Sequence, residues 1–287
     1  MGGLANCDDG VALLVEWLKT QGHLPQSIDK MLLQRFLRAT QGDVEAAKKL
    51  IDLNYTMRTN YSHIFLKRDP CDEATQCVLD TTDMIILPNL TPEGNKVLYY
   101  RLIDFDPDKY HFNDVIRVFF MFADVRFNTP DPAGMSEGEI PIFDMKGFTL
   151  KHLTKVVLST LRIYMKFTQE AHPIRLKAIH VVNCPSYLDK VITVIKPFLR
   201  SEVFKMINFH LSGAETLYKY VPKEMLPNDL GGQCGQIADI KSEWVKVLKE
   251  KRDFLTNEKY WKVDEKKRTK SKGNKVPNES FQSLSID

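Results

Sequence analysis

The amino-acid sequence predicts an α/β fold, in which a small N-terminal helical unit precedes a mainly parallel β-sheet with crossover helices, and three observations predict it. Residues 8–57 read as three helices joined by short turns. From about Thr82 the pattern changes to short β-branched and aromatic runs separated by helical stretches, and strands joined through helices pair in parallel. The run 178–183 is apolar and rich in β-branched residues and stops at Asn183-Cys184-Pro185, as a buried strand ending in a turn does; it reads as the central strand.

Each element has its own justification. Residues 8–19 place Val11, Leu14, Val15 and Leu18 on one helical side, with an exit at Gln21-Gly22. Residues 28–39 turn Leu32, Leu33, Phe36 and Leu37 inward; Gly42 stops this helix and Asp43 caps the next, which runs to Met57. Residues 65–77 form a loop or a short helical linker. Strands at 84–87 and 97–103 flank residues 88–95, whose Pro, Asn and Gly mark the turn of a hairpin. Residues 112–127 are apolar on nearly every side, which predicts a buried helix, and 129–138 are a loop. A strand at 140–144 ends by Gly147, and residues 150–171 read as one long helix leading to the central strand. Gly231-Gly232 closes the sheet domain, residues 239–260 make a last helix, and Lys262 onward is polar, basic and expected to be disordered.

Between 186 and 200, Tyr187, Leu188, Val191, Ile192, Val194, Ile195, Phe198 and Leu199 fall within one arc of roughly 160° at helical spacing, and Pro197 should kink or end the helix. Two readings stay open: a hinged lid over an apolar cavity, or an ordinary amphipathic helix docked on a core. Further aromatic side chains, Phe119, Phe143, Tyr164 and Phe167, come from elements that should lie near this helix. If they enclose a cavity, a lipid chain burying about 400 Å² there gains roughly 10 kcal/mol before association costs.

Composition excludes several classes. The formal charge of +3 sits in residues 262–287, where seven Lys/Arg oppose four Asp/Glu, so the body is neutral and carries no nucleic-acid stripe. Five scattered cysteines lack metal-ligand spacing and point to a reduced intracellular compartment. Asp8 and Asp9 interrupt the one candidate leader, and the longest fully apolar run, 118–123, is too short to span a bilayer; a soluble cytoplasmic protein is expected. No GxxxxGK[ST], GxSxG, HExxH or GxGxxG motif occurs, so no catalytic residues, cofactor or metal site are assigned. Asp144 before Gly147 reads as a turn residue rather than a general base, and His180 and His210 as hydrogen-bonded core residues rather than ligands. Arg175 and Lys177 alternate with Ile174 and Leu176 and project together from one strand face, a solvated edge or an anion site.

Taken together, Leu33-Gln34-Arg35-Phe36-Leu37-Arg38-Ala39 with Gly42-Asp43-Val44, Ile142-Phe143-Asp144 with Gly147, Ile179-His180-Val181-Val182-Asn183-Cys184-Pro185, Lys196-Pro197-Phe198-Leu199, His210 and Leu226-Pro227 with Gly231-Gly232 resemble the CRAL-TRIO lipid-transfer family, closest to its tocopherol-transfer and retinaldehyde-binding branch. The resemblance spans residues 28–260. It implies a helical subdomain over 1–80, a lipid-binding domain over 81–240 with an enclosed apolar cavity, a C-terminal helix over 241–261 and a disordered basic tail over 262–287. The implied function is that of a monomeric carrier, not an enzyme, which holds a tocopherol, retinoid, carotenoid or similar lipid under a mobile lid at 185–206. By position the resemblance implies a cavity lined by Ile116, Phe119, Ala123, Phe143, Tyr164, Phe167, Thr168, His172 and Ile174, with Tyr187, Leu188, Val191, Ile195 and Phe198 from the lid; Thr168, Tyr164 and Glu139 are the polar candidates for orienting a ligand head. It also implies a phosphoinositide headgroup site at Arg175 and Lys177 for peripheral contact with an anionic membrane, weakened because Thr40, Glu202 and Met206 replace basic residues. The alternative is a regulatory adaptor on the same fold with a lipid-sensing or vestigial cavity.

Overall fold

In the computed structural model, which describes residues 5–213 and 215–269, five helices lead into the sheet: α1 (Ala5–Thr20), α2 (Lys30–Ala39), α3 (Val44–Asn60), α4 (Ser62–Phe65) and α5 (Glu73–Thr81). Side-chain carboxylates start three of them: Asp29 accepts from Met31 N, Asp43 from Ala46 N and Asp72 from Thr75 N, each satisfying an amide that has no partner inside its helix. The expected linker at 65–77 thus ends in a true helix.

The sheet comprises β1 (Thr82–Leu90), β2 (Asn95–Leu102), β3 (Gly138–Asp144), β4 (Ile179–Val182) and β5 (Ile207–Phe209), in spatial order β1-β2-β3-β4-β5. β1 and β2 form the antiparallel hairpin, and the remaining pairs are parallel. Pro88, expected in the turn, lies inside β1 at an irregularity between Ile86 and Leu90, which an edge strand tolerates because its outer amides need no partner. The strand expected to be central, β4, is fourth of five, because the residues after the amphipathic helix add β5 outside it. The crossovers are α6 (Phe112–Phe127), then α7 (Leu150–Thr154) with α8 (Leu158–Glu170), then α9 (Leu188–Ile195) with α10 (Ser201–Phe204).

Where one helix was expected over 150–171 there are two. Thr149 and His152 form a capping box at the start of α7, and Lys155 ends it. The following Val156-Val157 pair is β-branched and gives up little by leaving the helix, so Val157 adopts the extended conformation that starts α8. The last expected helix is likewise divided into α11 (Ile237–Glu250), α12 (Arg252–Thr256) and a 3-10 turn, Glu258–Tyr260. Gly231 and Gly232 are needed where they stand: Gly231 has φ of 78°, and a Cβ on Gly232 would lie 1.9 Å from the Leu226 carbonyl oxygen.

Helical unit and sheet domain are welded through α6. Asp124, on α6, accepts from Arg58 Nη1 and Nη2 at 2.8 and 2.6 Å and from Arg68 Nη1 at 2.6 Å, and Trp261 covers both guanidiniums at 4.7 and 5.0 Å. Burial would raise the Asp124 carboxyl, but the two guanidiniums hold it below the usual carboxylate range; burial pushes Arg68 down to about 10 against the pull of Asp124. The chain beyond Lys262 is not free at its start: Val263 is buried among α1–α3, and Arg268 Nη1 meets both Asp52 oxygens at 2.8 Å. The rest of the expected tail, 270–287, lies outside the described residues.

Candidate ligand cavity

Strand side chains alternate between faces, and here the two faces receive different covers. Val97, Tyr99, Ile140 and Ile142 point to one face, where Leu217, Val221, Met225, Leu226 and Ile237 fill the space. Tyr100, Pro141, Phe143, Ile179, Val181, Ile207 and Phe209 point to the other, into a cavity of about 580 Å³. That volume falls within the roughly 300–1,000 Å³ common for small-molecule sites. α8 contributes Tyr164, Met165 and Thr168 to the wall; Leu199, Val203 and Met206 close one side.

α9 covers this cavity. Leu188, Val191, Ile192 and Ile195 line it, yet no residue of α9 is buried, because most of its wide apolar face looks onto empty space and only Val194 and Ile195, near its end, pack on the core cluster of α4, α6 and α8. The helix stops at Ile195, and Pro197 sits in a 3-10 turn, Lys196–Phe198, where its missing N–H costs nothing. The covering segment is fastened at its two ends. The Tyr187 hydroxyl donates to the Phe148 carbonyl; at the far end Gln169 Nε2 donates to Phe198 O at 2.9 Å, Arg200 N donates to Gln169 Oε1 at 2.8 Å, and Arg200 Nη2 meets Glu170 at 2.7 Å.

Of the residues expected to line a cavity, Phe119, Phe143, Tyr164, Thr168, His172 and Ile174 reach this one, as do Leu188, Val191 and Ile195. Five do not. Phe167 is fully buried against Phe65 (ring centroids 4.4 Å apart) and Phe120 (5.1 Å), and Ile116 joins the same aromatic cluster of α4, α6 and α8. Ala123 faces the N-terminal helices. Phe198 rests on the aromatic cluster beneath Arg162, and Tyr187 is turned to Phe148, so both fasten the cover rather than line the space. Residues that sequence reasoning missed include Tyr100, Pro141, Ile179, Val181 and Ile207. The period-2 pattern of the strands held that signal, since each is two or four places from another residue of the same face.

Polar groups at the cavity are few. Burial raises the Tyr100 and Tyr164 hydroxyls well above their ordinary range and pushes the His172 imidazole down to about 4, so all three are neutral near pH 7. Glu139 lines the cavity and pairs with Arg126 behind it. Glu139, Ala39 and Ile174 also form the wall between the cavity and a small recess bordered by Arg35, Arg38 and Arg175. In that recess Glu137 serves both Arg38 and, at 4.0 Å, Arg175. Ile174 and Leu176 face the cavity, whereas Arg175 borders the recess and Lys177 lies outside the cavity wall. Thr40 bonds back to Phe36 O and Leu37 O as the C-cap of α2, Glu202 is exposed beside Ser201, and Met206 lines the cavity.

On the filled face, His180 Nδ1 and His210 Nε2 lie 2.9 Å apart and His210 Nδ1 is 2.7 Å from Thr216 Oγ1. No group of three possible metal ligands occurs among the described residues. Asp144 accepts from the Tyr99 hydroxyl (2.5 Å), Asn183 Nδ2 (2.8 Å) and Lys146 N (2.8 Å), the bonds of a turn residue. No helix among the described residues is long and apolar enough to cross a membrane.

The sequence matches the family model described as CRAL/TRIO domain over residues 80–232, and that of a Pinta-like UBA domain over residues 5–75. It is 27% identical over 237 residues to the alpha-tocopherol transfer protein-like protein of Mus musculus, covering 83% of this chain and 68% of that one. The Homo sapiens protein of the same name is 27% identical over 240 residues (84% and 68%), and Clavesin-2 of Rattus norvegicus 28% over 204 residues (71% and 62%). The crystal structure of Sfh5 superposes with a TM-score of 0.50 at 14% identity, covering 88% of this chain and 99% of that one, a likeness of fold.

Proposed function

This chain belongs to the CRAL/TRIO domain family, and from that membership we propose that it carries a small hydrophobic lipid in the cavity under α9 and exchanges it with membranes when α9 swings away. The observation that carries the reading is the mismatch at α9: an apolar helix face with no buried residue, set over a cavity whose wall is almost wholly apolar. Left empty, such a wall forfeits contacts that an apolar ligand would supply. The fastening suits a cover that hinges, since releasing the Gln169, Arg200 and Tyr187 bonds and lifting Val194, Ile195 and Phe198 off the aromatic cluster would free the segment while leaving the buried residues of that cluster in place. Once open, the same face would meet a bilayer surface. The candidate cargoes in this proposal are tocopherols, retinoids and carotenoids, since a mainly apolar cavity of about 580 Å³ suits a small hydrophobic molecule.

Arg175 and Lys177 are proposed to touch anionic headgroups as a monomeric, cytoplasmic carrier docks. Glu137, shared between Arg38 and Arg175, already neutralises part of that cluster, so selectivity for bisphosphorylated phosphoinositides should be weak. The test is mass spectrometry of an organic extract of the purified full chain. A single apolar species in near-stoichiometric amount is expected. A lipid-free protein that also takes up no retinoid or tocopherol from liposomes would favour the adaptor reading instead.

A further inference from the structure

The cavity wall contains two carboxylates, Glu139 and Glu170, and, among the described residues, no lysine or arginine. Glu170 is at the rim, half-exposed and held by Arg200. Glu139 is different: it is 5% exposed, its Oε1 accepts from Arg126 Nη2, and no described residue bonds its Oε2. Arg126 itself does not reach the cavity, so what a ligand meets is the carboxylate and not the cation. His172, 7% exposed, also lines the cavity; its Nδ1 is buried without a partner, and no described side chain bonds the ring. Nδ1 has no surface open to the cavity, so a ligand there can meet the ring only at Nε2.

His172 stands at the end of a file, Tyr164, Thr168, His172, spaced four residues apart along α8 and its C-terminal turn, all lining the cavity. Thr168 is not available as a head-group donor, because its hydroxyl already donates to Tyr164 O at 2.9 Å. Glu139 N donates to Arg175 O at 2.9 Å, three residues beyond His172, and Ile174 N turns back to His172 O at 2.9 Å, which places Glu139 and His172 at one end of the cavity. A neutral imidazole offers one N–H and one lone pair, and a carboxylate oxygen offers only acceptance.

We propose that Glu139 and His172 form the polar end of the cavity and select a neutral lipid bearing a hydroxyl group, whose O–H donates to Glu139 Oε2 while its oxygen accepts from the His172 ring. A lipid ending in a carboxylate or phosphate brings a second negative charge to Glu139 with no wall cation to receive it, and is rejected. This selectivity rests on the carrier reading above.

The test uses two pairs of probes, each pair identical but for the head: all-trans-retinol against retinoic acid, and oleyl alcohol against oleic acid, titrated into the delipidated full chain at pH 7.4. The alcohol should bind at least about tenfold more tightly than the acid in each pair that binds, the worth of one charge-assisted hydrogen bond. Glu139→Gln should narrow that ratio to within about threefold by admitting the acid. His172→Phe, which keeps the carboxylate, should weaken the alcohol and leave the acid unchanged. An acid that binds the parent protein as well as its alcohol overturns the proposal and leaves the carrier reading standing. Binding of neither pair overturns both.

Discussion

The two faces of the sheet are made by the same strands from the same kinds of residue, yet one is filled and the other is hollow. Ile142 and Phe143 are neighbours on β3; Ile142 is fully buried beneath the chain that runs from Leu217 to Ile237, while Phe143 borders the cavity under α9. The filled face gains its contacts at folding. The hollow face leaves part of its apolar wall without neighbours, so its contacts remain to be made by something that is not the protein. On the proposed carrier function, stability and binding are therefore assigned to opposite sides of one sheet.

The largest effect should come from that neighbouring pair. Ile142→Ala should destabilise the empty protein by about 2–5 kcal/mol, and Phe143→Ala, although it removes a larger side chain, by only about 1 kcal/mol. Ligand retention should respond in the reverse order. Denaturant melts of the delipidated proteins decide it, and a Phe143→Ala loss equal to that of Ile142→Ala would erase the distinction between the faces.

A second effect concerns His172, which the hollow face leaves without a partner. Burial pushes its imidazole from 6.5 down to about 4, so the folded protein keeps it neutral where the unfolded chain would protonate it. Stability from this group is present above pH 6.5 and is lost as pH falls towards 4, by up to about 3 kcal/mol. Parent and His172→Phe should accordingly diverge on acidification across that window and run parallel above it. Parallel profiles throughout would mean that the ring already has a partner.

The smallest change in stability is expected at α9. Val191→Asp should alter the melting of the empty protein by less than about 0.5 kcal/mol, because no residue of that helix is buried, while greatly speeding ligand loss by setting a carboxylate over the apolar cavity. Stopped-flow release of a bound fluorescent retinoid to liposomes reads the second effect. A strongly destabilised variant would instead make α9 part of the core.

Much of the framework is local and was legible. Asp43 caps α3 and the apolar run 112–127 is α6, because capping and periodicity act within a few residues. The amphipathic arc from Tyr187 to Leu199 was equally plain, and so were Tyr164, Thr168 and His172 once the resemblance placed them at a cavity. Phe167 was not legible in the same way. Three residues from Tyr164, it has the same composition and neighbourhood in sequence but turns to Phe65 and Phe120, which are 102 and 47 positions away.

What the sequence determined by itself is which side of each element is apolar and where most elements begin and end, since hydrogen bonding and side-chain periodicity are settled among near neighbours. Tertiary structure alone decided what stands opposite each apolar side. Val263 and Arg268 look like the start of a charged tail until the helical unit offers a buried site and Asp52. Gly231 and Gly232 let the chain from Leu217 to Ile237 close down on one face of the sheet, while α9, with only Val194 and Ile195 set on a core cluster, spans the other without filling it. An apolar face reports that it avoids water; whether a side chain, an empty space or a lipid meets it depends on contacts between residues far apart in the chain.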